Sequence, residues 1–253
     1  AVEETDPEAF VLGEVWEDAS VKIAYNQRRK YFMGKELHGV MNYPFRTALL
    51  EYLQGGDAHD FEDAMETLRE NYPPAAFYSS MNFLGTHDTA RILTVLGADG
   101  KPEEKAVRAE YRLSPAELKR GLARLRLAVL ILFTFPGAPT IYYGDEAGME
   151  GWEDPFNRST YPWGKEDTDL KAYFARLGNL RKENAALNRG TIRFLYSKGP
   201  LLIYAREHEG KRYVTVVNAS EEPATLNLPW EAPEATDLLT GRTLAAKGSK
   251  LPL

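Results

Sequence analysis

Cysteine is absent from the 253 residues. That removes disulfides, thiolate metal sites and a cysteine nucleophile, while leaving the redox compartment open. Histidine is scarce, at four, and His38, His59 and His208 sit in contexts that suggest no ligand set. No spacing of His, Asp and Glu matches a zinc or calcium site, so neither a metal nor another cofactor is expected. Long apolar runs are missing as well; the longest, residues 127–136, is too short to span a bilayer. The acidic start Ala1-Val2-Glu3-Glu4-Thr5-Asp6 has no basic segment of the kind that opens a secretory signal. A cytoplasmic location is the expectation these absences favour. Positive charge is not in excess: 31 Lys and Arg stand against 37 Asp and Glu, interspersed, for a net −6. Neither nucleic acid nor an anionic membrane is therefore an expected partner.

What is present reads as a folded globular chain, with 43% apolar and 27% charged residues. Aromatics reach 11%, including 14 Tyr and 4 Trp, which suits a site that stacks on flat, polar-rimmed ligands. Residues 9–16 read as a strand buried on both faces, and residues 20–30 as polar and loosely helical. A second short strand at 39–43 leads into a helix through residue 54, with Pro44 in its first turn. Asp57 caps another helix to about residue 70. A third strand, 77–84, delivers the cluster Gly85-Thr86-His87-Asp88-Thr89-Ala90-Arg91. Residues 96–112 read as a loop or short helix. Ser114-Pro115-Ala116-Glu117 is a capping-box helix start. Leu118, Leu122, Leu125, Val129 and Leu132 then mark one apolar face. A fourth strand at 140–144 ends in Asp145 and Glu146, and a last helix runs over about 168–184. Beyond residue 187 short alternating runs at 191–195, 201–206, 213–218 and 224–228 predict an antiparallel β module. The expected division is thus 1–186 and 187–253. Strands alternating with helices and ending in polar residues predict a parallel sheet or part of a (β/α) barrel, and four strands do not close an eight-stranded one.

Taken together, the motifs resemble the α-amylase family of glycoside hydrolases, and in particular its neopullulanase, cyclomaltodextrinase and maltogenic amylase branch. Gly13-Glu14-Val15-Trp16 resembles the family's fifth-strand motif, whose Glu is the general acid/base. Thr86-His87-Asp88-Thr89-Ala90-Arg91 resembles the seventh-strand motif, with Thr86 in place of the common Ser. Val40-Met41-Asn42-Tyr43 resembles the sixth strand, the stretch from Phe135 to Glu146 the passage into the eighth, and Asp154-Pro155 to Arg158 the loop beyond it. The third-strand Asp-x-x-x-Asn-His motif and the fourth-strand Arg-x-Asp motif, which carries the nucleophile, have no counterpart. The resemblance therefore implies strands five to eight of a barrel plus most of the C-terminal β domain. Some relatives hold calcium, but no site for it is recognisable in these residues.

The resemblance implies roles as well. Retaining glycoside hydrolysis needs a protonated carboxyl to assist the leaving oxygen and a carboxylate nucleophile roughly 5–5.5 Å away. Glu14 is the implied acid/base, and burial beside Val15 and Trp16 would raise its pKa into a working range. Asp88 would stabilise the oxocarbenium-like transition state, with His87, Trp16 and Asn42 at the sugar and Arg91 orienting the carboxylates. Beside this stand plainer roles: Glu14 as a strand-end carboxylate paired with a cation, Asp88 as a helix cap, and Tyr43, Trp152 and Trp163 as packing residues instead of sugar platforms. His87-Asp88 also matches a metal phosphohydrolase pair, for which further ligands are wanting. The expected partner is an α-glucan oligosaccharide or cyclodextrin. A chain with two open sheet edges also predicts either a homodimer or a separate N-terminal half. A non-catalytic carbohydrate-binding protein on the same scaffold is the alternative.

Overall fold

The four longest helices among the described residues begin where a side chain takes up a free N–H group of the first turn. A computed structural model describes residues 2–33, 36–227, 235–244 and 250–252. After the single turn α1 (Val2–Thr5), helix α2 (Tyr43–Leu53) is capped by Asn42, whose Oδ1 accepts the Phe45 N–H at 3.1 Å. Asp57 caps α3 (Ala58–Asn71), and Pro74 opens the short α4 (Pro74–Ser79). Two further short helices follow: α5 (Ile92–Gly97), most of which precedes the span 96–112 read as a loop or short helix, and α6 (Lys105–Glu110), which lies within it. Next comes α7 (Pro115–Thr134), then α8 (Thr168–Glu183) capped by Asp167, and α9 (Ala185–Arg189).

The start of α7 is a complete capping box. Ser114 Oγ accepts the Glu117 N–H and Glu117 Oε2 accepts the Ser114 N–H at 2.8 Å. The same carboxylate takes the Tyr111 hydroxyl at 2.6 Å and the Asp99 N–H at 2.9 Å. These donors hold Glu117 well below the usual carboxylate range, at about 2, led by the Tyr111 bond. Leu125, Val129 and Leu132 are buried as the helix stripe predicts, and Leu118 and Leu122 pack against the same core.

Four short parallel strands lie at the centre of residues 9–144. β1 (Leu12–Gly13) and, after the hairpin β2 (Ile23–Ala24) and β3 (Gln27–Arg28), β4 (Gly39–Val40) form one parallel pair. β5 (Met81–Phe83) and β6 (Ala138–Thr140) form the other. A parallel bridge between Met41 and Met81 joins them in the order β1-β4-β5-β6. Side-chain amides continue that line: Asn42 Nδ2 donates to Asn82 Oδ1 at 2.9 Å, and Asn82 Nδ2 to the Pro136 carbonyl at 2.6 Å. No closed barrel forms among the described residues.

Beyond α9, β7 (Thr191–Lys198), β8 (Leu201–His208) and β9 (Lys211–Asn218) make an antiparallel sheet with a bulge near Phe194–Tyr196. Two small antiparallel pairs follow, formed from β10 (Thr225–Asn227), β11 (Ala235–Thr236), β12 (Thr243–Leu244) and β13 (Lys250–Pro252). Leu228, the last residue of the fourth predicted run, lies outside the described residues. Two buried arginines join this sheet and α8 to the end of α7. Arg181 donates to the carbonyls of Phe133, Phe135 and Gly137 at 2.8, 2.9 and 2.6 Å, and Arg206 to those of Thr134 and Gly190, each at 2.7 Å. Cations placed on the last carbonyls of a helix complement its dipole, although burial pushes both guanidinium groups down to about 10.

Four expectations need correction. Residues 9–16 are not buried on both faces: Phe10, Leu12 and Trp16 are exposed, because among the described residues β1 has a partner on one side only. Residues 20–30 form the β2–β3 hairpin instead of a helix. Tyr25 and Asn26 take φ of 53° and 58° at its tip, the backbone of a tight hairpin turn. The first half of the 77–84 strand is the end of α4, since Pro74 preorganises a helical turn. The strand expected at 140–144 pairs at Ala138–Thr140 and then turns, with Gly144 in the left-handed region.

A depressed carboxylate contributes stability above its unfolded value and loses it as the pH falls toward its folded one. The Glu117 contribution is therefore present above pH 4.5 and disappears toward pH 2. In Glu117→Gln the urea midpoint should fall less steeply than wild type across that window. Parallel profiles for the two proteins would contradict the assignment.

Candidate active site

The polar ends of the four parallel strands meet on one side of the sheet, the side where α/β folds place ligands. Glu14 directly follows β1 and is exposed where burial was expected; among the described residues β1 is paired on one side, which leaves a flank open. Its Oε1 accepts the Tyr43 hydroxyl at 2.8 Å. Tyr43 itself is buried, stacked on Trp16 at 4.2 Å and 15°, with Phe83 edge-on at 4.8 Å. Burial, then the bond to Glu14, push the Tyr43 hydroxyl up to about 12, and the charge of Asp88 adds in the same direction. The phenol thus stays protonated at neutral pH and serves as a fixed donor to Glu14. Trp16 keeps about half its surface (53%) open beyond the stack.

Asp88 lies on the turn after β5. Thr89 Oγ1 accepts the Thr86 N–H at 2.9 Å and Thr86 Oγ1 the Asp88 N–H at 3.1 Å, so the two threonines hold the turn from inside. His87 Nε2 is 3.2 Å from Asp88 Oδ2, and both side chains are partly open to solvent. From outside, the loop after β6 clamps the turn. Asn157 is fully buried, and its Nδ2 lies 3.3, 2.8 and 2.7 Å from the carbonyls of Thr86, His87 and Thr89. Arg158 reaches the His87 carbonyl at 3.1 Å, Asp88 at 3.4 Å and Asp154 at 3.0 Å.

Arg91 and Asn42 are placed differently. The Arg91 guanidinium is buried, 3.3 Å from Asp145 and bonded to the Tyr143 carbonyl, with the rings of Tyr142 and Tyr143 at 4.3 and 4.5 Å from its central carbon. Its hydrogen bonds among the described residues go to the β6 side and to neither Glu14 nor Asp88. Burial pushes the Asp145 carboxyl up to about 7, and the attraction of Arg91 offsets part of that rise. Asn42, expected at the sugar, is buried with both ends of its amide engaged, one on Asn82 and one as the α2 cap. Structure therefore brings together Glu14, Trp16, Tyr43, His87 and Asp88, and keeps Arg91 and Asn42 beneath them. Asn157 and Arg158 were not assigned a role from sequence; the Asp154–Arg158 stretch marked their loop, but nothing local in it shows which turn they would hold. Trp152 is buried against Tyr111, as a packing residue. Among the described residues no group of three or more His, Asp and Glu is placed to hold a metal.

A model of the α-amylase catalytic domain matches residues 1–185. The chain belongs to the α-amylase family. A second model, the C-terminal domain of maltogenic amylase, matches residues 192–253. An amylopullulanase of Thermoanaerobacter thermohydrosulfuricus is 34% identical over 99% of the chain and 18% of its own length. A cyclomaltodextrinase of Geobacillus thermopakistaniensis is 32% identical over 99% of the chain and 39% of its own length. Further relatives carry the names maltogenic α-amylase and neopullulanase. The crystal structure of an α-amylase from Geobacillus thermoleovorans, complexed with acarbose, superposes with a TM-score of 0.79 at 27% identity, over the whole chain and 52% of that structure. These relatives are glycoside hydrolases, and the chain spans less than two fifths of the two curated ones.

Two outcomes follow for the frame of the site. Asp145→Ala strands a buried guanidinium and should cost about 3–5 kcal/mol of unfolding free energy, whereas Arg91→Met with Asp145→Leu should cost clearly less; chemical denaturation of both variants measures it. Asn157→Ala removes the buried amide that the Thr86, His87 and Thr89 carbonyls share, worth about 2 kcal/mol. Its mark should be faster amide exchange confined to residues 86–91, and unchanged protection there would refute the clamp.

Proposed function

We propose that this chain is the acid/base half of a retaining α-glucan hydrolase, cutting α-1,4 and also α-1,6 linkages in malto-oligosaccharides, pullulan or cyclodextrins. The observation that carries the proposal is the Tyr43 phenol, held against Glu14 within the field of Asp88, with the Trp16 indole stacked beside it. In this reading Glu14 gives a proton to the leaving oxygen and later accepts one from water, and Tyr43 keeps its carboxyl aimed. Asp88, with His87 beside it, faces the positive charge that develops on the sugar. Trp16 offers an aromatic face to the glucose on the leaving side. The names of the relatives, and the acarbose complex of one of them, support an α-glucan as substrate.

The remaining piece of the chemistry is the nucleophile. We read residues 1–186 as strands five to eight of a (β/α)8 barrel and 187–253 as the β domain, so the carboxylate nucleophile comes from outside these residues. The open edge of β1 and the exposed Phe10, Leu12, Ile141 and Tyr143 fit a surface that the complementary half covers. A carbohydrate-binding role without turnover is the second reading, favoured by the exposure of Glu14, which leaves its carboxyl in water where a general acid wants a dry site.

On its own the chain should release no nitrophenol from a nitrophenyl maltoside above the buffer rate, yet bind maltose or acarbose in a calorimetric titration. Turnover by the pure chain that disappears in Glu14→Gln would reverse the reading that its site is incomplete. Absence of any sugar binding would remove the assignment to α-glucans.

A further inference from the structure

Trp163 is the most exposed of the described tryptophans, with 80% of its surface open. Neither the catalytic assignment nor the packing of the core uses it. It stands at the apex of a tight reversal. Its N–H bonds the Tyr161 carbonyl at 2.9 Å, the Lys165 N–H bonds the Pro162 carbonyl at 2.9 Å, and Gly164 takes φ +74°. The indole leans on Tyr161, with ring centroids 4.6 Å apart and 52° between planes, so the two rings form a bent aromatic plate. Polar groups rim that plate: Lys171 Nζ is 5.8 Å from the Tyr161 ring and pairs with Glu166 at 3.6 Å.

A rigid indole turned to solvent beside donors and acceptors matches the chemistry of a pyranose, which offers C–H bonds to an aromatic face and hydroxyls to its rim. The plate also has a fixed relation to the site. Its loop is tied to the Asp88 turn by Arg158, 3.4 Å from Asp88, and to the turn after β6 by the Tyr143 hydroxyl on the Ser159 carbonyl at 2.7 Å. Trp163 follows Arg158 by five positions, at most about 18 Å of chain, a span that a few linked glucose units bridge.

We infer that Trp163 and Tyr161 form an outer platform that stacks a glucose unit of an α-glucan chain whose inner end lies at Asp88. The inference rests on the α-glucan reading above and deepens it: the platform makes binding depend on chain length, so that long oligosaccharides gain a contact that short ones cannot reach.

Indole-resolved NMR of the full chain tests this with two ligands, maltotriose and maltoheptaose. Saturating maltoheptaose should shift the indole resonances of both Trp16 and Trp163, and maltotriose that of Trp16 alone. Trp163→Ala should weaken maltoheptaose binding about tenfold, the worth of one aromatic stack, and leave maltotriose unchanged; Trp163→Phe should restore most of the loss. A Trp163 resonance unmoved by maltoheptaose while Trp16 shifts overturns the platform and leaves the catalytic reading standing. Movement of neither indole overturns both, and movement of Trp163 alone upholds the platform while removing sugar from the Glu14 side.

Discussion

The buried pair of Arg91 and Asp145 is the interaction on which the geometry of the site depends. Asp145 belongs to the turn after β6 and Arg91 to the end of the turn after β5, so the pair couples the two loops on either side of Asp88. Such a pair is expensive, because the interior does not fully repay the loss of water. The raised Asp145 carboxyl is the sign of that cost. The Tyr143 carbonyl and two tyrosine faces complete the enclosure of the cation. With this anchor in place, Asn157 and Arg158 hold the turn from the opposite side, and Asp88 is left with little freedom.

Glu14 is held by a different device. It stands at an open sheet edge with few neighbours, and what orients it is one phenol. Tyr43 is suited to this because it is buried enough to remain protonated and rigid enough, between Trp16 and Phe83, to keep its hydroxyl in place. The two carboxylates thus differ in kind: Asp88 is confined by backbone and arginine contacts, and Glu14, among the described residues, by one directed donor in an open setting. In the proposed reaction that difference suits groups of which one exchanges a proton and the other keeps its charge.

Much of this was legible in the order of residues. Capping residues and apolar spacing placed α2, α3, α7 and α8 within a residue or so, because these signals are local. The strong motifs marked the turns that carry Glu14 and Asp88. The errors fell where partners decide. Residues 20–30 carry little periodicity, and only pairing made them a hairpin. The span 77–84 has strand composition throughout, yet Pro74 carries its first half into a helix. The family resemblance puts Asn42 at the sugar and Arg91 beside the carboxylates; neither local sequence nor motif shows that an amide will meet Asn82 or a guanidinium Asp145.

By itself the sequence determined the alternation of strands and helices, the β character of the C-terminal part, the family motifs, and which carboxylates are candidates for chemistry. These follow from periodicity, capping and residue type, all of which act over a few neighbouring positions. Tertiary structure alone decided that Glu14 is open and tethered by Tyr43, that Arg91 works beneath the site, that Asn157 fastens the Asp88 turn, and that Trp163 faces solvent. Each of these depends on contacts between residues about 30 to 70 positions apart, or on a neighbour that is not there, and burial and hydrogen-bond partners at that range are set by packing and by no local pattern.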